Sequence, residues 1–82
     1  MFIVTQILDN HRMDMVNKKL AKRLRKLRKE NNFTQERLAE LAGIDYKHIQ
    51  LLESPKAPAA KLDTLEKIAK AFRITPSELI KF

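Results

Sequence analysis

Between Val16 and Asn32 the chain places eight cationic side chains, Lys18, Lys19, Lys22, Arg23, Arg25, Lys26, Arg28 and Lys29, against one acid, Glu30. That stretch carries 8 − 1 = +7, while the rest of the chain, with nine basic and nine acidic residues, sums to zero. The whole excess charge therefore sits on one segment. The chemistry open to it is electrostatic attraction of polyanions rather than bond-making. A solvated helix face is the plain alternative, and the neighbouring residues must decide between them. Other chemistries find little support. No cysteine is present, which excludes disulfides and thiolate metal sites and fits a reducing compartment. The two histidines, His11 and His48, lie too far apart to indicate a metal site. No glycine-rich phosphate loop occurs, and no nucleophile stands at a suggestive distance from a base, so no catalytic residue, metal or cofactor is expected.

The elements that would position the cations can be read from local pattern. At 82 residues one domain is expected. Val16, Leu20, Leu24 and Leu27 recur at helical spacing and predict a first helix over 16–31, ended by "ENNF". Thr34 is suited to cap a second helix, with Glu36 in its first turn and Leu38, Ala39 and Ala42 inside. Asp45 caps a third, whose inner face is Ile49 and Leu52. "SPKAPAAK" reads as a loop. Leu62, Leu65, Ile68, Ala69 and Phe72 predict a fourth helix. "TPSE" starts a fifth, with Thr75 as cap, Pro76 at the first helical position and Glu78 completing a capping box. Leu79, Ile80 and Phe82 are expected to close the core.

Residues 1–15 read differently. "FIVTQIL" is rich in β-branched residues and fits an ordered strand, a disordered tail, or sequence ahead of a true start at Met13 or Met15. No apolar run approaches the roughly 20 residues of a membrane span. "MFIVTQIL" makes a poor secretory leader, and a cytoplasmic location is expected.

Gly43 is the only glycine, and it falls between the second and third helices. Counting Gln35 as the first position, Ala39 is the fifth, Gly43 the ninth, Ile49 the fifteenth and Leu52 the eighteenth. The fifth must be small where two helices cross. The ninth must turn the chain sharply, which glycine does at positive φ without steric cost. The last two anchor the third helix. This is the spacing of a helix-turn-helix.

From Lys18 to Ile80 the chain resembles the phage-repressor-like helix-turn-helix family, the XRE or Cro/repressor type, through "LRKLRKENNFTQERLAELAGI" and "LDTLEKIAKAFRITPSELI". The resemblance implies an all-α, compact five-helix domain, lambda-repressor-like, over 16–82, following an N-terminal extension over 1–15. It implies a sequence-specific, DNA-binding transcriptional regulator that reads a dyad operator through the helix over 45–53. The base contacts would then be Tyr46, Lys47, Gln50 and Leu51. Lysine suits guanine, glutamine suits adenine, and an exposed leucine can meet a thymine methyl. Thr34, Gln35, Arg23, Arg25 and Lys56 would contact phosphates, and Arg28 and Glu53 would form a structural ion pair. The loop "ESPKAPAAKL" departs from the family by one extra residue and by carrying one lysine before its end.

The implied partners are double-stranded DNA and a second copy of the chain. The dimer interface is expected at Phe72, Ile74, Leu79, Ile80 and Phe82, or otherwise in strand pairing through 2–8. An antitoxin or adaptor-type module that binds a protein, such as a toxin, is the alternative reading of the same fold.

Overall fold

The computed structural model describes the backbone of residues 2–82 and the side chains of residues 15–82. Five helices follow in order: α1 (Phe2–Glu30), α2 (Gln35–Ala42), α3 (Tyr46–Leu52), α4 (Leu62–Phe72) and α5 (Pro76–Leu79). Among the described residues there is no strand, as the all-α reading required.

The helix ends follow local chemistry. Thr34 Oγ1 accepts the Arg37 N–H at 3.0 Å, and Asp45 Oδ1 accepts the Lys47 N–H at 3.4 Å. Thr75 and Glu78 form the reciprocal capping box, with Pro76 in the first turn of α5. Gly43 ends α2 at φ 66°, ψ 36°, the left-handed conformation that its position demanded. Asn32 (φ 58°) and Arg73 (φ 59°) take the same conformation after α1 and α4.

The core gathers Leu20, Leu24 and Leu27 from α1, Leu38, Ala39 and Ala42 from α2, and Ile49 and Leu52 from α3. Ile68, Ala69 and Phe72 come from α4 and Leu79 from α5, while Phe33 stacks on Phe72 with centroids 5.9 Å apart. Burial of these side chains supplies most of the drive to fold, at roughly 25 cal/mol per Å² of apolar surface.

Several expectations change. The first helix starts at Phe2 rather than near residue 16. The strand, one of the three readings open for this segment, is therefore not the backbone's conformation: no glycine or proline interrupts 2–30, so helical pairing can propagate through the β-branched run. The side-chain readings on 1–14, including strand pairing and His11, lie outside the described residues. Val16 is 50% exposed and Leu62 80% exposed, because each sits beyond the end of the surface its helix packs against. Ile80 and Phe82 are also exposed, and Leu79 alone closes the core at this end. Phe72 and Leu79 are buried within the chain itself, which removes them from the expected dimer face and leaves Ile80, Phe82 and the partly buried Ile74.

Candidate nucleic-acid interface

Helix α3 is held from behind. Ile49 and Leu52 are almost fully buried, so steps of about 100° per residue turn Lys47, Gln50 and Leu51 outward. All three are exposed, Leu51 by 54%, and Tyr46 at the start of the helix is 38% exposed. One helix face thus presents an ammonium, a side-chain amide, an apolar group and a phenol. His48 is half-buried at the edge of this row.

Glu53 organises what lies beside it. Its side chain is 2% exposed, yet it is charged. Arg28 Nε donates to both carboxylate oxygens, at 2.9 and 3.1 Å, and Gln35 Nε2 donates to Oε1 at 3.2 Å. Arg28 also donates through a second nitrogen to the Phe33 carbonyl at 3.0 Å, which closes the α1–α2 turn. The structural ion pair expected from the sequence is therefore formed. The extra partner, Gln35, was not foreseen. Its bond to Glu53 ties the first residue of α2 to the end of α3.

Gln35, Thr34, Glu36, Tyr46 and Arg28 line one shallow concavity between the starts of α2 and α3. The first backbone N–H groups of a helix have no intrahelical acceptor and carry partial positive charge. An anion placed there meets them together with the Gln35 amide, whose orientation Glu53 fixes. Glu36 brings one carboxylate to the same rim, and this repulsion limits how closely a phosphate can sit. Lys56 lies exposed beyond α3 and shares a second depression with Lys18 and Pro55.

The two remaining arginines of the basic stretch turn to opposite flanks of α1. Arg25 donates to the Glu53 carbonyl at the end of α3. That one bond caps the helix, and the group stays on the α3 side. Arg23 instead donates to the Glu78 and Leu79 carbonyls, at 3.0 and 3.3 Å, and so caps α5. A phosphate contact for Arg23 alongside α3 does not fit this position. It lies one flank of the helix away, because residues 23 and 25 are about 200° apart around α1. Sequence separations of 55 and 56 residues hid this role. No helix among the described residues is long and apolar enough to cross a membrane.

No curated protein and no solved structure matches the chain. A family model for the Cro/C1-type HTH DNA-binding domain does match, over residues 23–82, which contain α2 to α5 and the end of α1 from Arg23 on. On that match across nearly three quarters of its length, the chain belongs to the Cro/C1-type helix-turn-helix DNA-binding family.

Proposed function

We propose that the chain is a sequence-specific transcriptional regulator that lays α3 in the major groove and reads base edges with Lys47 and Gln50. The observation that carries this reading is the row of exposed side chains on α3, fixed in place by buried Ile49 and Leu52 and flanked by the Gln35–Glu53–Arg28 cluster. Family membership supplies the general role of DNA binding. The finer assignments come from the chemistry of the site.

Lys47 donates to guanine O6 and N7, and Gln50 pairs with the adenine N6/N7 edge. Leu51 covers a thymine methyl, and Tyr46, exposed at the start of the helix, adds a further contact to a base edge. Gln35 and the N–H groups at the start of α2 take a phosphate, assisted by Thr34, Arg25 and Lys56. These contacts fix the register of the helix but carry no sequence information themselves.

One seven-residue helix reads a short site, so useful specificity calls for two copies on half-sites about one helical turn apart. The exposed Ile80 and Phe82 are the apolar residues available for pairing at the α5 end. Selection of random duplex DNA at about 150 mM salt tests the reading. It succeeds if a palindromic consensus is enriched. If no sequence outcompetes bulk DNA, sequence reading is rejected, and only the salt-sensitive attraction of the basic helix remains.

A further inference from the structure

Three helices of this chain end in the same way. After α1, α2 and α4 the last turn closes on a left-handed residue, and the next residue donates back into the helix. The pairs are Phe33 N–H to the Arg28 carbonyl at 2.9 Å, Ile44 N–H to the Ala39 carbonyl at 3.0 Å, and Ile74 N–H to the Ala69 carbonyl at 3.0 Å. In each case the following apolar residue packs against the core. The left-handed residue is Asn32, Gly43 and Arg73 respectively. Glycine suits this conformation and asparagine tolerates it, but arginine is strained there. Arg73 is thus the one position of the three where the chain keeps a costly residue.

The one return to the fold is a cation at the negative C-terminal end of α4, a modest gain that a lysine there would equally supply. Arg73 is exposed, and its guanidinium makes no hydrogen bond or ion pair with any described residue. Its surroundings are distinctive. Arg73 lines one depression together with Arg37, Leu41 and the stacked pair Phe33 and Phe72. Leu41 is 41% exposed although it belongs to a helix of the motif. Arg37 is held only by an exposed pairing with Glu40 at 3.3 Å, which a competing carboxylate can displace. None of these residues belongs to the α3 row or to the concavity beside Gln35.

We propose that this depression docks an acidic peptide segment of a partner protein. An apolar side chain of the segment enters against Leu41 and the Phe33–Phe72 pair, and a neighbouring carboxylate is taken by the Arg73 guanidinium. The strain at Arg73 is retained for that contact. Guanidinium groups bind carboxylates in a two-pronged geometry that a lysine ammonium does not reproduce, and the apolar lining favours a peptide over a phosphate backbone. The inference stands whether or not α3 reads a defined operator.

The test is selection of random twelve-residue peptides displayed on phage against the full chain. A winning peptide is then titrated by fluorescence anisotropy into the wild type, Arg73→Gly, Arg73→Lys and Leu41→Ser. Winners should carry Asp or Glu within a few residues of Leu, Ile or Phe. Arg73→Gly should weaken binding at least tenfold while raising the midpoint of thermal unfolding, so loss of binding cannot be ascribed to loss of fold. Arg73→Lys should recover only part of the affinity, and Leu41→Ser should also weaken binding. Duplex DNA should not displace the peptide. The proposal is overturned if no peptide is enriched, if winners lack acids, if Arg73→Gly binds as well as the wild type, or if DNA competes for the same site.

Discussion

Replacing Arg28 by methionine isolates the buried charge of Glu53. Methionine keeps the length and packing of the stem but removes every donor. Glu53, 2% exposed, then retains only the Gln35 amide. Leaving a buried carboxylate unpaired costs about 3–5 kcal/mol, and the low end applies because Gln35 remains and the 15% exposure of Arg28 gives water an approach. Loss of the bond to the Phe33 carbonyl adds about 1 kcal/mol. The sum is about 4 kcal/mol, and at roughly 4–8 °C per kcal/mol for a domain of this size the unfolding midpoint falls by roughly 16–32 °C. Total stability for a chain of this length is on the order of 4–12 kcal/mol, so the variant is expected to be folded only marginally at 25 °C. Far-ultraviolet circular dichroism, followed during heating and in urea, measures the loss. The double variant Arg28→Met, Glu53→Met should regain more than half of it, because no charge is then stranded. A loss below about 1 kcal/mol in the single variant would refute the reasoning, since Glu53 would then be satisfied without its arginine.

Three further outcomes follow from the same geometry. Gly43→Ala should lose about 1–2 kcal/mol from its φ of 66° alone, since no atom stands within 4 Å of the added Cβ, whereas Arg73→Gly should gain about 1 kcal/mol; paired thermal melts compare them. Gln50→Ala should leave the melt unchanged within about 0.5 kcal/mol yet cost about 1–3 kcal/mol at one base position of the selected site, read by competition with point-substituted duplexes. Arg23→Ala should cost about 1–2 kcal/mol through the freed Glu78 and Leu79 carbonyls and leave the salt dependence of DNA binding unchanged, as measured by titration at several salt concentrations.

What the sequence makes legible is local. Thr34, Asp45 and Thr75 cap helices because their oxygens reach N–H groups two or three residues on, and Gly43 takes its turn because of its own φ. The interiors of the apolar stripes, Leu24, Leu38, Ile49 and Ile68, are also fixed by spacing along one helix. Stripe ends are not, since Val16 and Leu62 continue the period after the facing surface has stopped. The β-branched run before residue 9 fits either period, so its helical backbone was not decided by pattern. At the site, the exposure of Lys47, Gln50 and Leu51 is legible from Ile49 and Leu52, and Tyr46 enters through the family resemblance. The Gln35–Glu53 bond and the inward use of Arg23 and Arg25 join distant segments, which no local spacing encodes.

The inward turn of three arginines changes how the basic helix should behave as a polyelectrolyte. Arg23 and Arg28 are occupied with carbonyls and a carboxylate, Arg25 commits one donor to the Glu53 carbonyl, and the exposed cations of the stretch are all lysines: Lys18, Lys19, Lys22, Lys26 and Lys29. Steps of about 100° per residue gather these lysines within one arc of about 100°, on the face opposite buried Leu20, Leu24 and Leu27, so a duplex held by α3 can meet only some of them. Each phosphate neutralised contributes roughly −0.9 to the slope of log affinity against log salt, so the number of counterions released should fall well short of the formal charge of +7. Lysines also hold phosphates as mobile point charges without a fixed orientation. The helix can therefore keep the protein near DNA without itself selecting a sequence, the task proposed above for α3.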